Sequence, residues 1–230
     1  MSKKLLVVGG SGSLGSALVR RFNPTFNVTN IDFTINIDCQ DNIVLDPCKN
    51  PSQSLPILRE HIKDQRFDSI ICTAGGWAGD SIGSPEFIDT MQKMMSMNFW
   101  STVTAAELAR SNLIEEGIFI STGASLVFKE PCPTMLSYAL SKNLVHNLHQ
   151  ILLYDPEFVE KQIHSICILP TVLDTKNNRS GNPDADYSCW LKPDKVAELL
   201  YMWVNSNNLP DNGAFINLEE KNGMLETTFF

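Results

Sequence analysis

Short apolar runs and longer amphipathic stretches alternate along almost the whole chain. The runs have the length and β-branched content of buried strands, and polar or glycine-rich residues bound them. The stretches between them repeat apolar residues at the spacing of a helix that packs on one face. Strands are predicted at residues 4–8, 27–31, 43–45, 68–74, 117–122, 163–169 and 214–218. Helices are predicted at residues 16–22, 54–63, 85–113 in one or two pieces, 137–154 and 193–204.

This alternation predicts an α/β fold with a doubly wound, mainly parallel, seven-stranded sheet and helices on both faces. No linker or internal repeat interrupts it, so one domain over residues 1–230 is expected. Ser84, Pro85 and Glu86 have the N-cap, first-position proline and acidic first turn of a helix start. In such sheets ligands bind at the carboxyl ends of the strands, where the strand order reverses.

A glycine-rich loop joins the first predicted strand to the first predicted helix. Gly10, Gly12 and Gly15 fit the G-x-G-x-x-G pattern of a Rossmann-type dinucleotide site. Gly10 would allow the tight turn, Gly12 the close approach of a pyrophosphate, and Gly15 the close packing of helix on sheet. The N-terminus of the helix would attract the phosphates. We expect the cofactor to contact Gly9, Gly10, Gly12, Ser13, Leu14 and Gly15.

Asp32 follows the second predicted strand, where an acidic side chain can accept hydrogen bonds from both hydroxyls of an adenosine ribose. A carboxylate there repels a 2′-phosphate, so NADH is expected to be preferred over NADPH. The alternative is a glycine-rich turn with a chance downstream acid. The order of strand, turn, helix, strand and acid favours the dinucleotide site.

Composition narrows the possible functions. The formal net charge of −8 argues against a nucleic-acid partner or an anionic membrane surface. No apolar run is long enough to span a bilayer or to form a signal-peptide core, so a cytoplasmic location is expected. The six cysteines form no Cys-x-x-Cys pair and the four histidines no metal spacing, so neither a disulfide framework nor a metal site is predicted.

Tyr138 and Lys142 are four residues apart on a predicted helix and therefore lie on one face. An ammonium beside a phenol favours the phenolate, so a lowered pKa is expected for Tyr138. Tyr138 would then be a proton donor near neutral pH. Taken alone, the pair is more often part of an ordinary amphipathic helix, but the N-terminal glycine loop favours the catalytic interpretation.

With that loop, the Tyr-x-x-x-Lys pair and this length, the chain resembles the short-chain dehydrogenase/reductase family over its whole extent. Ser13 stands where a middle glycine is common in that family. Other stretches are similar to the branch that reduces quinonoid dihydropterins: residues 74–79 (Ala-Gly-Gly-Trp-Ala-Gly), 169–175, 178–179, 183–190 and 226–230. This resemblance implies that NADH delivers hydride to a quinonoid dihydropterin and regenerates the tetrahydropterin. Tyr138 would supply the proton, and Lys142 would bind the nicotinamide ribose.

The resemblance also implies further site residues. Asn98 would help to order a water and the lysine, or it is a polar residue inside a helix. Asp46 would approach the adenine, or it is a turn residue. Val172, through its backbone, and Thr175 would meet the nicotinamide. The remaining cofactor contacts would come from the loops after two strands, at Ala74, Gly75, Gly76 and Pro170.

Trp77 could form a flat wall against a pterin, or it packs under its loop. Tyr187 and Trp190 could cover the substrate, or they pin a surface loop. Ser125, thirteen residues before Tyr138, matches the spacing of the hydroxyl that polarises a carbonyl in most of the family, or the spacing is accidental.

The two longest predicted helices carry apolar residues on more than one stripe, which suits a partner helix. In the family such helices pair across a two-fold axis, so a homodimer is expected. Two alternative functions stay open at this point. One is another short-chain carbonyl reductase, which would need Ser125. The other is a regulator that binds a dinucleotide without turnover.

Overall fold

The computed structural model describes residues 2–206 and 208–230. Its strands are β1 (Lys3–Val8), β2 (Phe26–Asp32), β3 (Asp41–Val44), β4 (Phe67–Cys72), β5 (Leu113–Thr122), β6 (His164–Pro170), β7 (Phe215–Lys221) and β8 (Met224–Phe229). Within these residues they form one eight-stranded sheet in the order β3-β2-β1-β4-β5-β6-β7-β8. All neighbours pair in parallel except β7 and β8, which are antiparallel. The predicted α/β fold class is confirmed.

Helices cover both faces of the sheet. They are α1 (Ser13–Phe22), α2 (Pro51–Ile62), α3 (Phe87–Met94), α4 (Ser101–Asn112), α5 (Ser125–Lys129), α6 (Leu136–Leu152), α7 (Pro156–Glu160), α8 (Lys176–Gly181) and α9 (Pro193–Asn205). A π-helical segment, Met95–Trp100, joins α3 to α4. None of the helices within residues 2–206 and 208–230 combines the length and apolar character needed to cross a membrane.

The sheet has eight strands where the pattern predicted seven. β8 is mostly exposed, so it has no buried apolar run by which to recognise it. It pairs with β7 through a two-residue turn at Asn222 and Gly223, whose φ angles are +52° and +79°. An Asn-Gly pair is a strong signal for a tight hairpin turn. That dipeptide was therefore the available clue to the eighth strand.

The long helical region begins later than predicted. Ser84 is not its N-cap: the carbonyl of Ser84 accepts the Phe87 amide in a turn, and Glu86 occupies the N-cap position of α3 without a capping side-chain bond among the described contacts. The π-helical segment divides this region into α3 and α4. The spacing of apolar residues every three to four positions does not predict such a division. π-Helical turns often accompany functional sites, and this one carries Asn98.

Two apolar layers hold the sheet between its helices. In β1, Leu5 and Val7 pack on the side of α1 and α9, whereas Leu6 and Val8 pack on the side of α2 and α4. Successive side chains of β1 point to opposite faces of the sheet, and helices cover both faces. Every residue from Leu5 to Val8 is therefore buried, which explains the continuous apolar run. The carboxyl ends of the parallel strands are left to form the site.

Candidate active site

The glycine loop turns out of β1 at Gly9 and Gly10, in a turn closed by the Gly12 amide, which donates to the Gly9 carbonyl at 3.2 Å. Gly9 has a φ of +90°, and a Cβ there would overlap the main chain of Ala74. The left-handed region favours glycine, so Gly9 makes the conformational demand of the turn, and Gly10, which was predicted to allow it, is the next residue of the same turn. Gly10 is constrained by a neighbour instead, because its Cβ would overlap Oδ1 of Asn30. A Cβ on Gly15 would overlap the carbonyl oxygen of Gly9.

Gly12 begins α1 as its N-cap residue, and among the described contacts no side chain caps it. A Cβ on Gly12 would lie 3.4 Å from the carbonyl oxygen of Gly9, which is ordinary contact. Ser13 is exposed, whereas Leu14 is buried in the core and presents only its backbone. The first turn of α1 is therefore an open set of backbone donors, as an anion-binding helix end requires.

Asp32, at the end of β2, is tied to the glycine loop. Its Oδ2 accepts the Ser11 amide at 2.9 Å, and its Oδ1 accepts the Phe33 amide at 2.7 Å. Asp32 also lines a cavity of about 350 Å³ between the ends of β1, β2 and β4, together with Gly9, Gly12, Lys49, Ala74 and Gly75. Asp46 is a turn residue, whose carboxylate accepts the Cys48 amide at 2.9 Å.

Tyr138 and Lys142 lie one turn apart on α6, as predicted. Lys142 is almost completely buried, and its Nζ donates a hydrogen bond to the carbonyl oxygen of Thr122 at 2.8 Å. Burial lowers the pKa of Lys142 to about 8. The pKa of Tyr138 is raised above its ordinary value, mainly by burial and secondarily by Cys132. The sequence predicted a lowered pKa for Tyr138, and this prediction is wrong. The loss of solvation raises the pKa, and it outweighs the effect of the lysine charge.

Asn98 is fully buried and connects the loop after β4 to α6. Its Oδ1 accepts the Gly76 amide at 2.9 Å, and its Nδ2 donates to the Gly76 carbonyl at 3.1 Å and to Ser141 Oγ at 2.9 Å. Ser141 Oγ in turn donates to the carbonyl oxygen of Tyr138 at 2.7 Å. A Cβ on Gly75 would lie 2.8 Å from Asn98 Oδ1 and 3.3 Å from Lys142 Nζ. Gly75 therefore lies against both polar groups.

Ser125 is buried at the start of α5, where its hydroxyl donates to Oδ1 of Asn217 on β7. Lys129 Nζ shares that acceptor at 3.3 Å. The preceding amide, that of Ala124, donates to Nε2 of His146 at 3.2 Å. The Ser125 hydroxyl therefore donates its hydrogen bond to a side chain of β7.

The segment after β6 is positioned by backbone pairing. Pro170 ends the strand and is buried. The Val172 carbonyl accepts the Leu191 amide at 2.8 Å, which fixes the backbone of this segment. Thr175 caps α8, and its hydroxyl oxygen accepts the Asn178 amide at 3.1 Å.

The three aromatic residues predicted to contact substrate differ in their surroundings. Trp77 is 43% exposed, and its Nε1 donates to Met135 Sδ at 2.8 Å. Tyr187 packs edge-on against Trp190 at 4.7 Å between ring centroids, and its hydroxyl donates to the Asn182 carbonyl at 2.9 Å. Trp190 is 7% exposed. Trp77 is therefore partly open to solvent, whereas Tyr187 and Trp190 pack against each other within their own loop.

Comparisons with known proteins show the family and the fold of this chain. A dihydropteridine reductase from Dictyostelium discoideum is 32% identical over 230 residues, which cover 99% of each chain. The chain belongs to the dihydropteridine reductase family. The resemblance found in the sequence is thereby confirmed. No protein-family model matches the chain.

Solved structures establish the same fold. A short-chain dehydrogenase family protein from Francisella tularensis superposes with a TM-score of 0.80 at 22% identity, covering 94% of this chain and 97% of that one. BdcA, in complex with NADPH, superposes with a TM-score of 0.79 at 20% identity, covering 98% and 96%. At these identities the likeness concerns the fold alone.

Two further residues of this dihydropteridine reductase family member contact the candidate site and were not predicted from the sequence, Ser141 and Asp80. Ser141 lies three residues after Tyr138 on the same helix face, a spacing that could have indicated it. Asp80 contacts Ser137, which is 57 positions away, so no local pattern could have indicated it.

Proposed function

We propose that this protein uses NADH to reduce quinonoid dihydropterins to tetrahydropterins. Its membership of the dihydropteridine reductase family supports the substrate class. The observation that carries the proposal is the arrangement around α6: buried Lys142 lies one turn from Tyr138 and beside Gly75. Tyr138 as the acid and Lys142 as the cation then lie beside the loop that carries Gly75 and Gly76, here called the cofactor loop. A reductase requires such an arrangement.

The residues fit a nicotinamide dinucleotide. The glycine loop packs tightly against the protein's own main chain, since a Cβ on Gly9 or Gly15 would overlap backbone. The open first turn of α1 suits the pyrophosphate, and the cavity beside Asp32 suits the adenosine ribose. Nearer the nicotinamide, the residues that would hold the cofactor are Ala74, Gly75, Gly76, Lys142, Pro170, Val172 and Thr175.

Each residue then has a defined task. Bound NADH supplies hydride to the substrate. Tyr138 donates the proton, and its raised pKa keeps the hydroxyl protonated at neutral pH, as a donor requires. Lys142 is held by the Thr122 carbonyl, from where its ammonium would bind the nicotinamide ribose. Asn98 fixes the backbone of Gly76 against α6, which keeps the cofactor loop and the acid in register.

We extend the proposal to the cofactor and the assembly. NADH is preferred over NADPH because the Asp32 carboxylate opposes a 2′-phosphate. The chain works as a single domain in a homodimer formed through the helices of residues 87–112 and α6. Apolar side chains exposed along these helices support this interface: Ile88, Leu140, Leu144 and Ile151. A monomer mass from light scattering would contradict the dimer.

We also propose that the protein acts in the cytoplasm, on a small-molecule pterin and without nucleic acid or membrane. All six cysteines are free thiols in the described parts of the chain. A reducing compartment keeps thiols in that state.

The decisive experiment measures NADH oxidation with freshly generated quinonoid dihydropterin. We expect rapid oxidation that falls about a hundredfold or more in Tyr138→Phe, because the proton donor is lost. Tyr154→Phe is the matched control, since Tyr154 is exposed beyond the end of α6. Activity that survives Tyr138→Phe would retain the substrate but remove Tyr138 as the acid. NADH binding without oxidation would contradict the proposed function and lead to a panel of ketones.

A further inference from the structure

Asp80 ends the loop that carries Gly75, Gly76 and Trp77, and its carboxylate contacts the start of α6. Its Oδ1 accepts the Ser137 amide at 2.9 Å, and its Oδ2 accepts the Ser137 hydroxyl. Ser137 is fully buried and directly precedes Tyr138. The carboxylate therefore holds both hydrogen-bond donors of the residue next to the proposed acid.

Backbone contacts reinforce this connection. The Asp80 amide donates to the Thr134 carbonyl at 3.0 Å, and the Leu136 amide donates to the Asp80 carbonyl at 3.2 Å. These two bonds form a short parallel bridge between Asp80 and Met135. The Trp77 indole adds its own bond to Met135 Sδ. The loop and the beginning of α6 are thus joined over several residues.

The start of α6 depends on this connection. Its N-cap residue, Met135, makes no capping side-chain bond among the contacts of the described residues, and no acidic residue lies in its first turn. Asp80 supplies both missing elements from a distant part of the chain: an acceptor for a first-turn amide and a negative charge at the positive end of the helix dipole.

We propose that Asp80 is a positioning residue for Tyr138. Ser137 and Ser141 flank Tyr138, and each is tied to the same cofactor loop: Ser137 through Asp80, and Ser141 through Asn98 to Gly76. The two ties set the place of the Tyr138 side chain relative to the loop that carries Trp77. This inference rests on the proposed function, in which Tyr138 is the proton donor.

The test compares Asp80→Ala, Asp80→Asn and Asp64→Ala. Asparagine keeps an oxygen for the Ser137 amide and an NH₂ group for its hydroxyl, so it preserves the connection without the charge. Asp64 is an exposed turn residue and controls for loss of a surface carboxylate. Ser137→Ala removes one of the two contacts and provides a second, milder variant. For each protein we would measure kcat, KM for the pterin, the NADH dissociation constant and amide hydrogen exchange at residues 136–139.

We expect kcat to fall about tenfold or more in Asp80→Ala while the NADH dissociation constant is unchanged, because small displacements of an acid slow the reaction strongly. Asp80→Asn recovers most of that loss, and Ser137→Ala shows a smaller one. Exchange at the Ser137 amide accelerates in Asp80→Ala but not in Asp80→Asn. An unchanged kcat in Asp80→Ala would overturn the inference.

A wild-type protein that oxidises no NADH with any pterin would refute the proposed function separately. In that case amide exchange decides the inference about Asp80. Faster exchange confined to residues 136–139 in Asp80→Ala, reversed in Asp80→Asn, supports it. Unchanged exchange overturns it.

Discussion

Lys142 Nζ donates a hydrogen bond to the carbonyl oxygen of Thr122 at 2.8 Å, at the carboxyl end of β5. The lysine is 4% exposed, so its charge is held where water is largely excluded. A single neutral carbonyl compensates that charge only in part, which is why the pKa of Lys142 falls to about 8. The site therefore contains a cation that titrates close to physiological pH.

The titration of Lys142 predicts how the activity of the enzyme changes at alkaline pH. The folded protein loses the Lys142 proton as the pH rises through about 8, rather than near the ordinary pKa of 10.5. We expect kcat/KM for NADH oxidation to decline above about pH 8, because the ribose-binding charge is lost. Lys142→Arg should move this decline to higher pH. A profile in the wild type that stays flat well past pH 8 would contradict the assignment.

The same shift has a consequence for stability. The unfolded chain holds this proton more tightly than the folded one, so Lys142 contributes an unfolding free energy that rises between pH 8 and 10.5. Denaturant titrations at several pH values would measure this contribution, and Lys142→Met should remove it.

Substitution of Gly12 should mainly weaken NADH binding, whereas substitution of Gly15 should mainly lower the stability of the fold. Gly15→Ala places a methyl group on the Gly9 carbonyl, which is backbone and cannot rotate away, so we expect destabilisation on the order of 1–3 kcal/mol. Gly12→Ala meets only ordinary contact and should lower the melting temperature less than Gly15→Ala does. Its methyl group blocks the pyrophosphate, so NADH affinity should fall by at least about tenfold, or ~1.4 kcal/mol. Equal melting temperatures for the two variants would refute the distinction.

Asp32 should set the choice of cofactor. Asp32→Asn removes the charge and keeps only one of the two oxygens that accept the Ser11 and Phe33 amides, and the preference for NADH over NADPH should narrow by about tenfold. Asp32→Ala should narrow it as well but also weaken both cofactors, since the Ser11 contact is lost. The measurement is the dissociation constant of each dinucleotide. Wild-type protein that binds both equally would end this assignment.

Ser125 should not take part in the chemistry. Its hydroxyl donates to Asn217, so Ser125→Ala is expected to leave kcat within about threefold of the wild type. It should cost about 1 kcal/mol of stability, because the buried Asn217 oxygen loses one donor but keeps the bond from Lys129. Steady-state assays and denaturant unfolding would test both values. A fall in kcat comparable to that of Tyr138→Phe would instead restore Ser125 to the mechanism.

Local patterns predicted the fold class and most elements. The continuous apolar run of β1 and the glycine loop after it lie within a few residues, so the sequence alone shows their relation. β8 was missed because an exposed strand carries no apolar signal, and its hairpin turn at Asn222 and Gly223 was not recognised. The π-helical segment was missed because a single widened turn hardly changes the apolar repeat.

The sequence by itself determined which side chains share a helix face or follow a strand, because periods of two and 3.6 residues act at short range. It thereby identified Tyr138, Lys142 and Asp32. Only the tertiary structure decided the contacts of Asp80 with Ser137 and of Asn98 with Gly76, since those partners lie far apart in the chain. It also decided the direction of the Tyr138 pKa, because desolvation depends on everything that packs around the phenol.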